Sequence, residues 1–284
     1  MTIRLRQLAH PLLAIFGLLS ALAVLPAGRL YATAADNQLL LVHDNARAVQ
    51  PLVDYLRNPG NFEVTIVDQA HLPSDWSGYR AVLGYIHNRL LEPTELAIID
   101  YTKKGGRFIA LHHMISSGKA ENRYYFKFLG IQLDDPKAAK EPVQPGAGYG
   151  WYTGGEGEPG VTVTLVNLNP AHFIVAHNVH WDDTLRYQSS DQLTVTKNYP
   201  AIVLKKSEGY MNHKFTDGRE KTVLCGMHYV DSRTHAVFDQ DRAVWYKNYG
   251  SGRIFYFQSG HFKDEYQNPN ISQMILNAII WDVR

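Results

Sequence analysis

Short apolar runs recur along the chain, and polar residues bound each of them. The first four runs cover residues 38–43, 62–67, 81–86 and 107–111. Runs of this length and composition are typical of strands that are buried on both faces of a parallel sheet. The pattern therefore predicts four strands in the first part of the chain.

Two helices are predicted between these strands. Residues 46–57 carry apolar side chains at helical spacing, and Asn58-Pro59-Gly60 follows them as a stop signal. Residues 93–104 begin with a proline and are followed by Gly105-Gly106, the usual asymmetry of helix ends. Strand and helix in short alternation predict an α/β fold with right-handed crossovers.

The second half of the chain is richer in predicted strands. These strands cover residues 161–166, 193–196, 201–206, 221–227, 243–246 and 253–257. A closing helix is predicted over residues 271–281, where apolar side chains again follow helical spacing. No linker divides the chain, so residues 35–284 are expected to form one α/β domain with a β-rich insertion.

Residues 134–160 are crowded with glycine and proline and predict a long loop. Tyr149, Trp151 and Tyr152 lie within it. Trp151 is a candidate substrate-binding residue if the loop closes over a ligand. Alternatively, the loop is held in place by its own aromatic side chains.

Residues 1–34 have the composition of a secretory signal peptide. Arg4 and Arg6 are followed by an apolar stretch from 12 to 25, and Ala32-Thr33-Ala34 offers a small-residue cleavage site. The apolar stretch is short for a stable membrane span. We expect a periplasmic or secreted protein that has no stable span after cleavage, and the alternative is an uncleaved N-terminal anchor.

Overall composition narrows the classes of function. The formal net charge of the 284 residues is +1, which gives no electrostatic reason to expect nucleic acid as a partner. The single cysteine, Cys225, lies inside an apolar run and is expected to be a small buried side chain. No glycine-rich phosphate loop follows the first predicted strand, so a nucleotide cofactor is not expected.

Histidine repeatedly follows an apolar run. This applies to His43, His87, His112-His113, His228 and His261. Ligands of open α/β sheets bind beyond the carboxyl ends of the strands. If these runs are parallel neighbours, their imidazoles converge on one crevice and could transfer protons or bind a metal near neutral pH.

Several segments together resemble the ThuA-like (trehalose utilisation) family. They are the segment 105–112, which begins with two glycines, the Tyr249-to-Tyr256 segment that leads to Gly260-His261, the ending from Asn268 to Trp281, His172-Phe173-Ile174, and Asp183 with Arg186-Tyr187. The resemblance covers the whole chain after the signal peptide. It implies a flavodoxin-like layered sheet similar to that of class I glutamine amidotransferases.

The resemblance also bears on chemistry. In the amidotransferases, the turn after the strand that corresponds to residues 107–111 carries a nucleophilic cysteine, and here that turn reads His112-His113-Met114. Cysteine amidotransferase activity is therefore not expected. The resemblance implies a role in the catabolism of trehalose and related disaccharides, with keto-sugar intermediates as the substrates.

The candidate site residues fall into two groups. His112, His113, His261 and Asp183 are candidate catalytic residues, and Asp183 is placed there only by the resemblance. Tyr187, His43, Trp151 and Glu265 are candidate substrate-binding residues. A divalent metal held by histidine and carboxylate is possible, but its ligands are not identifiable from the sequence.

The leading hypothesis is an exported enzyme, a hydrolase, lyase or isomerase, that acts on a carbohydrate or keto-sugar by histidine acid–base chemistry. The alternative is a non-catalytic carbohydrate-binding protein of the cell envelope. In both, the partner is a small-molecule carbohydrate, and the sequence leaves the oligomeric state open.

Overall fold

The computed structural model describes residues 37–133, 161–189, 196–210, 213–217, 221–230 and 237–282. In chain order, the strands are β1 (Gln38–His43), β2 (Glu63–Asp68), β3 (Ala81–Tyr85), β4 (Arg107–Leu111), β5 (Ile131–Gln132), β6 (Val161–Asn167), β7 (Asp183–Gln188), β8 (Thr196–Ser207), β9 (Lys214–Phe215), β10 (Lys221–Val230), β11 (Val237–Tyr249) and β12 (Gly252–Phe257). The α-helices are α1 (Ala46–Arg57), α2 (Glu92–Lys103), α3 (Tyr125–Leu129), α4 (Phe173–Ala176), α5 (Lys263–Gln267) and α6 (Pro269–Ile280).

Ten of these strands form one sheet in the order β2-β1-β3-β4-β12-β11-β10-β6-β8-β7. The first five are parallel neighbours. If β12 is counted as the fifth strand, their order is the 2-1-3-4-5 arrangement of flavodoxin-like sheets. The other five strands continue the sheet with antiparallel pairings. This confirms the predicted α/β fold with a β-rich insertion, which lies between β4 and β12.

The parallel strands alternate between two apolar clusters because successive side chains of a strand point to opposite faces. Leu39 and Leu41 of β1 belong to the cluster that also contains the buried side chains of α1 and α6. Leu40 and Val42 belong to the cluster on the other face, together with Ile98 of α2. Helices therefore cover both faces of the sheet, as the uninterrupted apolar runs predicted.

Helix ends follow local capping chemistry. The Asn45 side chain accepts a hydrogen bond from the Ala48 N–H group at the start of α1. Asn268 caps α6 in the same way, and Pro269 occupies the first turn. The closing helix consequently begins at Pro269, before the predicted start at residue 271.

Three sequence-based expectations about strands need correction or extension. His228 does not follow a parallel strand; it lies inside β10, which is antiparallel to both of its neighbours. The run 201–206 and residue 196 belong to one strand, β8, and β7 was not predicted.

The predicted signal peptide and the loop with Trp151 lie outside the described residues. Within the described residues, no helix is long and apolar enough to cross a membrane.

Candidate functional site

Five of the strands whose carboxyl ends lie at one edge of the sheet lead to histidine or glutamate side chains. The parallel strands β1, β3, β4 and β12 lead to His43, His87, His112-His113 and His261. Four antiparallel steps separate β12 from β8, so β8 runs in the same direction as β12. Its carboxyl end therefore reaches the same edge, and Glu208 follows it immediately.

Three donor atoms from three of these strand ends face one another. His112 Nε2 lies 3.0 Å from Glu208 Oε2, His261 Nδ1 lies 2.9 Å from the same oxygen, and the two nitrogens are 3.3 Å apart. We call His112, Glu208 and His261 the triad. Ligands around a tetrahedral zinc with bonds of about 2.0–2.1 Å are separated by about 3.3 Å. The triad donors are therefore spaced as ligands of one small cation would be.

The orientation of His112 fits metal ligation. Its Nδ1 lies against the Gln258 carbonyl oxygen, which can only accept a hydrogen bond, so Nδ1 carries the proton. Nε2 is therefore the ring atom that faces the triad centre: it donates to Glu208 Oε2 while it carries a proton, and it can bind a cation once that proton has been released. Metal-bound histidines commonly donate their other ring N–H group to a backbone carbonyl in this way.

The turn after β4 holds His112 in an uncommon backbone conformation. The φ angle of His112 is +39°, in the left-handed region that non-glycine residues seldom adopt. A 3₁₀ helix, His112–Ile115, follows directly. Strained strand-to-helix turns of this kind often present a functional side chain at the top of an α/β sheet.

Glu208 is ionised in this setting. Burial by itself would raise the pKa of Glu208, but the hydrogen bonds from His112 and His261 outweigh burial and hold the pKa well below its usual range. A carboxylate between two imidazoles supplies the negative charge that a divalent cation requires.

His113 forms the wall beside the triad. Its Nδ1 lies 2.8 Å from the hydroxyl of Tyr210 and 4.0 Å from Glu208 Oε2. Nε2 of His113 is buried and has no hydrogen-bond partner among the described residues. Burial, together with the neighbouring histidines, places the pKa of His113 far below its ordinary value, so the ring is neutral.

His87 and Asp44 form a second pair on the other side of His113. The rings of His87 and His113 lie against each other, with their centroids 3.5 Å apart and their planes tilted by 34°. The Asp44 carboxylate lies 3.1 Å from His87 Nδ1 and accepts a hydrogen bond from the His87 N–H group. Because a carboxylate only accepts, Nδ1 carries the proton and His87 Nε2 keeps a free lone pair.

A buried lysine holds the backbone of this second pair. Lys119 Nζ donates to the carbonyl oxygens of residues 86, 87 and 88 at 2.6, 3.0 and 2.8 Å. Burial lowers the pKa of Lys119 to about 7, against the attraction of Asp44. Lys119 therefore fixes the segment from which His87 projects.

Glu265 lies behind the triad. It accepts hydrogen bonds from the Gly260 and Phe262 N–H groups and from the Ser207 hydroxyl. These contacts join the turn that carries His261 to the residue before Glu208. Glu265 itself is 3% exposed, so it supports the site from within the protein.

The structure brings His112, His113 and His261 together, as predicted from their positions after strands. It does not bring Asp183 and Tyr187 to them. Both lie on β7, which is the edge strand at the end of the sheet opposite β2. The Tyr187 hydroxyl donates to Asp241 in a separate buried cluster. His43 ends β1 at the same edge as the triad. Trp151 is not described.

Glu208 and Tyr210 were missed by sequence reasoning. Glu208 follows a strand of the antiparallel half, whereas the pattern that indicated a site in the sequence was histidine after an apolar run. A carboxylate after the apolar run 201–206 is the signal that points to Glu208. Only the direction of β8 distinguishes it from other acidic residues at strand ends.

A family comparison agrees with this architecture. The profile described as ThuA, trehalose utilisation, matches residues 35–282. The chain belongs to the ThuA family. Membership indicates a carbohydrate-related role, and it accounts for the motifs at residues 105–112 and 249–261.

Solved structures resemble this ThuA-family chain at low sequence identity. A ThuA-like protein from Bacteroides uniformis is 16% identical, with a TM-score of 0.55, and the match covers 89% of this chain and 93% of that one. A β-galactosidase from Bacillus circulans sp. alkalophilus is 12% identical with a TM-score of 0.47, over 83% of this chain and 30% of that enzyme. The first likeness supports the fold. A comparison with functionally curated proteins finds no significant match.

Proposed function

We propose that this ThuA-family chain is an enzyme that acts on a carbohydrate or keto-sugar with a divalent metal held by His112, Glu208 and His261. The observation that carries the proposal is the mutual spacing of the three triad donors, 2.9–3.3 Å. Two histidines and one carboxylate on separate strands are a ligand set of catalytic zinc and iron sites, in which further coordination positions remain open to substrate or water.

The metal would polarise a carbonyl or hydroxyl oxygen of the sugar and lower the pKa of a bound water. The chain's own residues supply the rest. The backbone carbonyl oxygen of Gln258 accepts a hydrogen bond from the His112 ring. The Glu265 carboxylate accepts one from the Gly260 N–H group in the turn that carries His261. The three ligands are therefore oriented before substrate arrives, which is the condition for a precise site.

The histidine beside the triad that can transfer protons is His87. His87 can accept a proton at Nε2 while Asp44 stabilises the imidazolium that forms. The Tyr210 hydroxyl lies 2.8 Å from His113 Nδ1, and burial raises the pKa of Tyr210 well above its ordinary value, so this pair contributes a hydrogen bond rather than a proton transfer. Reactions of keto-sugars need a group that removes a proton from carbon or hydroxyl and later returns one, and His87 is the candidate for both steps.

Metal binding is the first test. Protein purified without chelator should contain close to one equivalent of metal by elemental analysis, and isothermal titration of the apoprotein with Zn²⁺ or Mn²⁺ should show one site. Glu208→Gln preserves the shape of the side chain but removes its charge. Loss of a residue that hydrogen-bonds a metal ligand typically weakens metal binding by roughly 10–100-fold. Glu208→Gln changes a ligand itself and should weaken metal binding by at least as much.

Asp241→Asn offers a matched control, because this buried carboxylate lies in the Tyr187 cluster outside the triad. It should leave the metal affinity unchanged. If the wild-type apoprotein binds no divalent metal, the triad is a proton network and the metal part of the proposal is wrong.

Turnover is the second test. A panel of disaccharides and keto-sugars would be incubated with the metal-loaded protein, and the products identified by mass spectrometry. We expect a substrate whose conversion is lost in Glu208→Gln. Sugar binding without conversion, measured by thermal shift, would instead support a carbohydrate-binding protein.

We also propose export with cleavage near Ala34, on the basis of the basic, apolar and small-residue order of residues 1–34. The expected mature protein has its N-terminus within a few residues of position 35. Mass measurement of protein recovered from the periplasm or medium decides the point, because intact Met1 would contradict cleavage.

A further inference from the structure

At the opposite edge of the sheet, two arginines occupy directly paired positions on neighbouring strands. Arg107 begins β4, and Arg253 is its register partner on the parallel strand β12. Residues paired in this way project from the same face of the sheet. The fold therefore holds two positive charges side by side, an arrangement that costs free energy unless a negative charge accompanies it.

One carboxylate, that of Asp282, contacts two arginines at this edge. Asp282 contacts Arg107 at 2.5 Å and Arg80 at 3.5 Å, and its side chain is 67% exposed. The end of α6 accounts for two of the arginines, because the Ile279 carbonyl oxygen accepts hydrogen bonds from Arg80 Nε and Arg107 Nη1. Capping of α6 thus explains Arg80 and Arg107, and it leaves Arg253 unexplained.

Arg253 is held in place by contacts that do not involve its terminal nitrogens. Its guanidinium lies over the Trp281 ring at 4.8 Å, and Nε donates to the Asn248 side chain. Among the described residues, neither Nη1 nor Nη2 of Arg253 makes a hydrogen bond. Burial and the nearby Arg107 lower the pKa of Arg253, so the two guanidinium groups interact. A planar fork fixed on an aromatic ring is preorganised for an oxyanion.

An open cavity lies in front of these two arginines. Its volume is about 350 Å³, and Gly105, Gly250 and Gly252 leave its wall without side chains. Cavities of small-molecule sites begin at about 300 Å³. The space therefore exceeds what a bare ion needs and admits the end of a small organic molecule.

We propose that the Arg107–Arg253 cavity is a second ligand site of this protein, which binds the oxyanion group, phosphate or carboxylate, of a small molecule. It lies at the amino ends of β4 and β12, whereas the triad lies beyond their carboxyl ends. The site is independent of the proposed enzymatic function. It gives a role to Arg253, which neither the triad nor the capping of α6 uses.

The test is isothermal titration of the full chain with inorganic phosphate and, separately, with malonate, at constant ionic strength made up with chloride. Saturable binding of one equivalent is expected, and the anion that binds more tightly identifies phosphoryl or carboxylate chemistry. Arg253→Gln should weaken binding at least tenfold, in line with the loss of charged hydrogen bonds of about 1.5 kcal/mol or more. Arg123→Gln is the matched control, because Arg123 also stacks on an aromatic ring, that of Tyr124.

Two further variants keep the test decisive if Arg253→Gln does not fold. Arg253→Lys retains the charge but loses the fork, and should still weaken binding. Asp282→Asn removes the exposed competing carboxylate and should tighten binding by roughly two- to fivefold, the size of an exposed ion-pair effect. Absence of saturable binding up to about 50 mM, where a ligand with a Kd near 1 mM is almost fully bound, overturns the proposal. Equal affinity in wild type, Arg253→Lys and Asp282→Asn overturns it as well.

Discussion

At the scale of single residues, the site depends on which atom of each imidazole carries the proton. The Gln258 carbonyl fixes that atom for His112, and Asp44 fixes it for His87. In both rings Nε2 is the atom that remains for the site. The two rings have different neighbours, because His112 Nε2 faces Glu208, whereas the His87 ring lies against the His113 ring.

Asp44 should make a pH-dependent contribution to stability. Burial opposes ionisation, but hydrogen bonds from the His87 ring and backbone lower the pKa of Asp44 below its ordinary value of about 3.9. The folded state therefore favours the carboxylate. Its contribution is complete above the unfolded pKa and is lost as the pH falls through the lower, folded pKa.

Asp44→Asn should therefore reduce the free energy of unfolding by roughly 1–3 kcal/mol at pH 7, and by less below about pH 4. Urea unfolding of both proteins at several pH values measures the gap. Asp54→Asn, on the exposed face of α1, should change stability by no more than about 0.5 kcal/mol. A gap for Asp44→Asn that is the same at pH 7 and pH 3 would contradict the assignment.

At the scale of elements, the turns after β4 and β12 decide where His112 and His261 lie. The Gly260 φ angle is +125°, and a Cβ atom there would lie 2.0 Å from the Tyr266 hydroxyl oxygen. A residue with a side chain would be strained in this conformation and would also displace Tyr266. The turn that carries His261 therefore requires glycine at its start.

Gly260→Ala should lower the free energy of unfolding by about 1–3 kcal/mol. It should also weaken metal binding, because His261 and the Glu265 contact with Gly260 move together. Gly78→Ala is the control, since nothing lies within 4 Å of the added methyl group. Thermal unfolding and metal titration of both variants measure the effects. Unchanged metal affinity in Gly260→Ala would mean that the turn does not position His261.

At the scale of the whole molecule, the triad joins distant parts of the chain. His112, Glu208 and His261 come from β4, β8 and β12, which are separated by long stretches of sequence. A ligand that binds all three stabilises only the folded state, so its binding free energy adds to the stability of the protein.

Saturation with metal at about 100 times its Kd should add about 2.7 kcal/mol of stability. For a domain of this size, that corresponds to an increase in Tm of roughly 5–10 °C. Differential scanning calorimetry with and without Zn²⁺, and after addition of a chelator, measures the shift. Glu208→Gln should show little shift, and an equal shift in wild type and variant would place the bound metal elsewhere.

The sequence by itself determined the fold class and much of the site. Apolar runs report burial on both faces, so β1, β3, β4, α1 and the flavodoxin-like core were predictable from local patterns. His112, His113 and His261 were predictable because parallel strands place their carboxyl ends at one edge.

Only the tertiary structure brought Glu208 to the triad, placed Tyr187 on the last strand β7, and paired His228 with Asp239 of β11. The order and direction of strands in the antiparallel half depend on pairings between distant segments, and local hydrophobic patterns carry no information about those pairings. The same limit applies to the Arg107–Arg253 pair, because register between β4 and β12 is a property of the assembled sheet. The sequence determines the chemistry of each side chain, but the packing of the whole chain determines which side chains are its neighbours.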